Sequence, residues 1–110
     1  MAITCVIRYQ IDPFKSAEFE QYARTWGQVI PRCGADLIGY FAPHEGSSTT
    51  AYGIYSIESL AAYEAYRARL AADPVGRKNY DFARRERFLE REERIFVRLV
   101  SAPHAELVKP

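Results

Sequence analysis

The sequence predicts an α+β fold with the element order β-α-β-β-α-β. Four short segments are rich in β-branched and aromatic residues, as strands are, and the stretches between them repeat apolar residues at helical spacing. The length of 110 residues suits one domain. We therefore expect a single ferredoxin-like domain over residues 1–110, with 101–110 as a tail, in which helices cover one face of a four-stranded sheet.

The first strand and the first helix carry clear signals. Residues 3–9 form a β-branched run with apolar side chains on both faces. Asp12 and Pro13 then predict a helix start, because the carboxylate caps free amides and proline suits the first helical position. The helix has one apolar stripe, formed by Phe19, Tyr22, Ala23, Trp26, Val29, Ile30 and Cys33. Pro31 and Gly34 predict its end.

Two further strands are predicted at 36–42 and 49–57, separated by the turn-forming residues 43–48. This short connection favours an antiparallel hairpin. Gly39 and Gly53 lie inside these strands, where glycine often marks a bulge or a close backbone approach.

The second half of the chain predicts two helices and a last strand. Ser56 or Ser59 caps the second helix, and the Asp73-Pro74 dipeptide ends it and starts another. The apolar face of the second helix consists of Leu60, Tyr63, Tyr66 and Leu70. Residues 84–94 carry nine charges in eleven positions, of both signs, which indicates an ion-paired, solvated surface rather than a phosphate-binding site. Residues 95–100 are the predicted fourth strand.

Composition and charge argue against several classes of function. The 15 basic and 14 acidic side chains give a formal net charge of +1, too little to attract nucleic acid through bulk charge. No apolar run approaches the roughly 20 residues that cross a bilayer, and the first residues lack the features of a signal peptide, so we expect a cytoplasmic protein. Cys5, Cys33, His44 and His104 lack metal-binding spacings, and no metal or cofactor is expected.

The strand patterns also predict self-association. In the first strand Ile7 and Val6 place apolar groups on opposite sides, and in the fourth strand Ile95 and Phe96 do the same. Helices can cover only one face, and a contiguous apolar face in water normally marks an interface. We expect a homodimer that stacks two sheets about a two-fold axis and buries about 800 Å² per partner. The alternative is an amphipathic sheet with scattered apolar groups on its surface.

Three runs of the chain, taken in order, resemble the NIPSNAP family of the dimeric α/β-barrel superfamily. They are GYFAPHEG at 39–46, AYGIYSIESL at 51–60 and YRARLAADP at 66–74, followed by the charged and then apolar last strand. The resemblance covers roughly residues 3–100 and implies a small homodimer whose two ferredoxin-like domains form an α/β barrel. It supplies no catalytic residue that can be transferred to this sequence.

Aromatic residues and two arginines are the candidate ligand-binding residues. A cavity between sheet and helices could hold a flat apolar molecule, although aromatics at these spacings also build ordinary cores. The aromatic candidates at its edge are Trp26, Tyr40, Tyr52, Tyr66 and Tyr80. Arg8 and Arg98 each lie within an apolar strand, where an unpaired buried charge is costly. Each can meet an acidic group across the dimer, reach solvent at the sheet edge, or bind a ligand carboxylate or phenolate.

Three functions follow from these features. The first is a NIPSNAP-like homodimer that binds a small apolar or aromatic molecule. The second is an enzyme at the same cavity, since the resemblance extends to cofactor-independent monooxygenases of phenolic substrates, with an isomerase as the other option. The third is an interaction module whose working surface is the sheet face. The sequence contains no Ser-His-Asp triad, phosphate-binding loop or dinucleotide motif, so no catalytic residue is assigned.

Overall fold

The computed structural model describes residues 2–103, which form one four-stranded antiparallel sheet with helices packed on one face. The elements are β1 (Ile3–Ile11), a 3₁₀ turn (Pro13–Lys15), α1 (Ser16–Arg32), β2 (Asp36–Phe41), β3 (Thr50–Ile57), α2 (Leu60–Ala72), α3 (Pro74–Glu86) and β4 (Leu89–Val97). The strand order is β2-β3-β1-β4, and each neighbouring pair is antiparallel. This confirms the predicted ferredoxin-like arrangement.

The entry and exit of α1 follow the predicted signals. The Asp12 carboxylate accepts a hydrogen bond from the Phe14 amide at 2.9 Å, which caps the 3₁₀ turn that leads into the helix. Pro31 lies in the last turn, and Gly34 leaves the helix with φ at +107°, a conformation that favours glycine. The predicted apolar stripe is buried at Phe19, Tyr22, Trp26, Val29, Ile30 and Cys33.

Side-chain caps set the boundaries of the two later helices. The Ser59 hydroxyl, rather than that of Ser56, accepts a hydrogen bond from the Ala62 amide at 3.1 Å at the start of α2. Asp73 separates α2 from α3, accepts hydrogen bonds from the first free amides of α3, and forms an ion pair with Arg32 at 2.8 Å. A single carboxylate thus fixes the join between three helices.

The fourth strand differs from its predicted bounds. It begins at Leu89, inside the charged run, and ends at Val97 instead of residue 100. The reason is its pairing with β1, which extends from Ile11 opposite Leu89 to Thr4 opposite Val97, and this ladder outweighs the low strand propensity of charged residues. Arg98 therefore lies beyond the strand, which corrects the expectation that it sits within one.

The two faces of the sheet have different environments. Side chains of β1 and β3 alternate between burial under the helices and exposure on the other side, which we name the open face. By strand register, the open face consists of Thr4, Val6, Arg8, Gln10, Asp36, Gly39, Phe41, Thr50, Tyr52, Ile54, Ser56, Arg91, Glu93, Ile95 and Val97. Ile95 is 56% exposed and Phe41 49%, so this side of the single chain leaves large apolar groups uncovered.

Within residues 2–103, the helices are all too short or too polar to cross a membrane.

Candidate functional site

A narrow opening between the sheet and the three helices is the candidate site, and we name it the tyrosine cleft. It is lined by Ile7, Tyr9, Tyr22, Trp26, Ile30, Tyr40, Tyr55, Tyr66, Arg67, Leu70, Tyr80, Glu92 and Arg94. The cavity of the cleft has a volume of about 20 Å³, and the unfilled space reaches about 340 Å³ when the open mouth is included. The cleft is therefore closely packed, and a larger ligand must push its walls apart.

A pair of tyrosines connects the strands at one wall of the cleft. The hydroxyls of Tyr9 on β1 and Tyr40 on β2 lie 3.0 Å apart in a hydrogen bond. The Tyr40 ring passes over Gly53 of β3, where a Cβ would lie 2.7 Å from the ring Cζ. This is the close approach that a glycine within a strand indicates. Burial raises the pKa of both tyrosines well above its usual value, so both hydroxyls stay protonated.

Aromatic rings from helices and strands form the remaining walls. Trp26 of α1 contacts Tyr80 of α3 edge to face, with ring centroids 4.9 Å apart. Tyr55 of β3 and Tyr66 of α2 pack with their ring centroids 5.2 Å apart. Burial is the main cause that raises the pKa of the tyrosines at positions 22, 55, 66 and 80. The walls thus present apolar surface and neutral hydroxyl groups.

Charged side chains enter the cleft from β4 and α2. Nη2 of Arg94 donates a hydrogen bond to Oε2 of Glu92 at 2.7 Å, and the Cys5 thiol, a weak acceptor, lies beside the same side chain. The Nε of Arg94 is buried and has no hydrogen-bond partner among residues 2–103. Burial is the largest single effect on Arg94 and disfavours its charge, but Glu92 together with Tyr63, Tyr55 and Cys5 outweighs it and raises the pKa of the guanidinium. Nη1 of Arg67 donates to the Tyr63 hydroxyl at 2.8 Å. The cleft therefore contains two guanidinium groups and one carboxylate.

The structure brings four of the predicted aromatic residues together. Trp26, Tyr40, Tyr66 and Tyr80 all line the cleft. Tyr52 does not, because it projects from the open face, where it pairs in register with Arg8. The cause is the alternation of side chains along β3. Tyr52 and the buried Tyr55 are an odd number of residues apart and so point to opposite faces of the sheet.

Neither predicted arginine lines the cleft. Arg8 is exposed on the open face and forms an ion pair with Glu93 of its own chain at 3.6 Å. Arg98 is exposed beyond the end of β4. Both side chains keep contact with solvent, so neither carries the cost of an unpaired buried charge.

The charged residues that do line the cleft are not among those predicted from the sequence. Arg67 lies on α2, and both Glu92 and Arg94 lie in the run for which the sequence predicts a solvated surface. Residues 90–94 are all charged, so no alternation within the run distinguishes these positions. The pairing with β1 places positions 92 and 94 on the helix side of β4, opposite the buried Tyr9 and Ile7.

The described residues offer no cluster of three His, Cys, Asp or Glu side chains that could hold a metal ion. His44 is exposed in the connection between β2 and β3, and His104 lies outside the described residues. Cys5 and Cys33 are free and buried, and burial raises the pKa of both thiols.

Comparison with known proteins gives a family and several similar structures. The NIPSNAP family model matches residues 4–103. An uncharacterised NIPSNAP domain protein from Burkholderia xenovorans is 27% identical, with a TM-score of 0.70 over 92% of this chain and 95% of that one. A NIPSNAP family protein of unknown function from Agrobacterium tumefaciens is 20% identical, with a TM-score of 0.78 over 93% and 92%.

A more distant similarity extends to another group of proteins. A protein from Nitrosomonas europaea, provisionally named an antibiotic biosynthesis monooxygenase, is 12% identical with a TM-score of 0.68 over 92% of this chain and all of that one. At this identity the likeness shows a shared fold alone. No curated protein matches the sequence.

Proposed function

This chain belongs to the NIPSNAP family, and we propose from its own geometry that it is a homodimer which binds a small apolar or aromatic molecule in the tyrosine cleft. The observation that carries the proposal is the cleft itself. Aromatic side chains from both helices and strands surround an opening with a small number of charged groups, a composition typical of ligand sites. Half-buried Tyr80 lies on its wall, and a ligand can enter by displacing such a side chain.

The titratable groups of the cleft support binding more than proton transfer. Its tyrosines are neutral because burial raises their pKa, and the one carboxylate on its walls, Glu92, accepts a hydrogen bond from Arg94. A general base needs a free, deprotonated group within reach of its substrate. Among the described residues that line the cleft, no group meets both conditions.

Catalysis at the same cleft is the second candidate function. One observation favours it: Arg94 places a positive charge against an aromatic cavity, where it could stabilise a deprotonated phenolic substrate of a cofactor-independent monooxygenase or an isomerase. Oxygen consumption by the protein in the presence of a phenolic substrate tests this function separately from binding.

The open face supports the proposed dimer. Four large apolar side chains, Phe41, Tyr52, Ile95 and Val97, are each more than a third exposed there. Val6 on β1 and Ile54 on β3 extend this apolar patch across the two central strands of the sheet. A second copy related by a two-fold axis presents the same apolar residues, so the two patches bury each other. A module that acts through this face alone is the remaining alternative, and it would bind no ligand in the cleft.

Trp26 provides a direct test of binding in the cleft, because it is the single tryptophan of the chain and lines the site. We expect a saturable change in its fluorescence on titration with a small neutral aromatic compound such as benzyl alcohol. The matched control is the double variant Trp26→Phe with Phe14→Trp, which moves the tryptophan to an exposed position outside both the cleft and the open face and should show no response. Equal responses from both proteins, or none from either, would refute the proposed function.

A further inference from the structure

The charges around the tyrosine cleft do not balance. Arg67 and Arg94 bring two positive charges to its walls, and Glu92 brings one negative charge. The lining tyrosines stay neutral because burial raises their pKa, so they cannot supply the missing anion. Glu93, the nearest acidic neighbour of Glu92 on the same strand, projects from the open face and pairs there with Arg8. Within its described lining, the cleft has an excess of one positive charge. Arg67 is exposed to solvent at the mouth, whereas the Arg94 side chain is only 28% exposed, so Arg94 is the cation whose donors a ligand in the cleft would meet.

The hydrogen bonds show the same imbalance. Arg94 uses Nη2 for Glu92, but its Nε is buried and has no acceptor within residues 2–103. It is the one buried side-chain nitrogen or oxygen in that part of the chain with this defect. A buried donor without an acceptor is costly, more so when it belongs to a charged group, and native proteins contain few of them. A bound molecule that brings an acceptor would remove this cost.

From this excess of charge and of donors we infer that the ligand of the cleft is a small carboxylate with an apolar or aromatic body, whose carboxylate binds the guanidinium of Arg94. The inference rests on the proposed binding function and names its ligand class. A carboxylate has the planar pair of oxygens that a guanidinium binds best. The aromatic walls formed by Trp26, Tyr66 and Tyr80 then contact the body of the ligand.

Benzoate and benzyl alcohol share an aromatic ring and differ in charge. Comparing them separates the proposed binding of aromatic molecules from the inference that the ligand is a carboxylate. Titrations followed by the fluorescence of Trp26 give the affinity of the protein for each compound. We expect the native protein to bind benzoate about 10- to 100-fold more tightly, the range expected for a hydrogen bond to a charged group. Arg94→Gln should lower the affinity for benzoate by a similar factor and leave that for benzyl alcohol unchanged.

Arg84→Gln is the control, since Arg84 is exposed on α3 and belongs neither to the cleft lining nor to the open face. It should leave both affinities unchanged. Equal affinities for the two compounds in the native protein would overturn the inference and leave the proposed function standing, and this comparison needs no variant. Binding of neither compound would overturn both. Loss of benzoate binding in Arg84→Gln as large as in Arg94→Gln would also overturn the inference, because it would assign the effect to general charge.

Discussion

The ring of Tyr40 lies over the backbone of Gly53, with the Tyr40 Cζ only 2.7 Å from the place that a Cβ on Gly53 would occupy. This approach is what allows the Tyr40 hydroxyl to reach that of Tyr9 across the intervening strand, at 3.0 Å. One wall of the tyrosine cleft thus depends on the absence of a single methyl group.

Gly53→Ala is therefore expected to destabilise the protein. The new methyl group would push Tyr40 aside and break its hydrogen bond with Tyr9, and overpacking of this kind costs about 1–3 kcal/mol. Denaturant unfolding measures the loss. The control is Gly27→Ala in the exposed interior of α1, where a Cβ meets no atom within 4 Å. That change should stabilise the protein by about 0.5–1 kcal/mol, because alanine is the better helix former. An unchanged stability in Gly53→Ala would contradict this account of Tyr40.

Asp73 is expected to make stability depend on pH. Hydrogen bonds from the α3 amides, first from Gly76, and the ion pair with Arg32 lower the pKa of its carboxyl in the folded protein. The carboxylate of Asp73 therefore stabilises the fold fully above the pKa of this carboxyl in the unfolded chain, about 4. This stabilisation disappears as the pH falls through the lower pKa that the carboxyl has in the folded protein.

Thermal unfolding of Asp73→Asn and of the native protein across this pH range measures the effect. The native protein should have a higher melting temperature than Asp73→Asn at neutral pH, and this difference, the gap, should disappear in acid. Asp81→Asn, which alters an exposed carboxylate of α3, is the control and should show a small gap at every pH. A gap for Asp73→Asn that stays constant into acid would refute the prediction.

The open face is expected to hold two copies together. We predict that the native protein is a dimer at micromolar concentration and that Ile95→Glu raises the dissociation constant more than about 100-fold, because an unpaired carboxylate loses its water in the interface. Light scattering gives the mass of each. Leu60→Glu, at an exposed position that begins α2, should remain dimeric. A monomeric native protein would remove the dimer from the proposal.

Both cysteines are expected to be unreactive while the protein is folded. Cys5 is fully buried and Cys33 is 4% exposed, and burial raises the pKa of both thiols, so little reactive thiolate is available. Mass spectrometry after treatment with an alkylating agent should find both thiols unmodified in the native protein and both modified in denaturant. Rapid modification of either in the native protein would contradict their placement in the core.

Much of the fold could be predicted from local chemistry. The carboxylates of Asp12 and Asp73, the cap at Ser59 and the φ of Gly34 all lie where the residue types indicate, because each acts on its own neighbours in the chain. The start of β4 could not be predicted this way. Its charged residues are poor strand formers, and the pairing with β1 that holds them in a strand connects residues far apart in sequence.

The site was predicted only in part for the same reason. Trp26 and Tyr80 follow from helical spacing, which depends on local sequence. Arg94 enters the cleft because residue 94 pairs with Ile7, and this register is a tertiary property. Tyr52 is the opposite case: it lies an odd number of residues from the buried Tyr55, so strand alternation alone assigns it to the open face.

A crystal structure of the protein grown with benzoate tests the central claim most directly. We predict that benzoate occupies the tyrosine cleft, with its ring against Trp26 and a carboxylate oxygen within hydrogen-bonding distance of the Arg94 guanidinium. Benzoate bound only on the surface, for example beside Arg8 or Arg98, with the cleft as narrow as before, would contradict it.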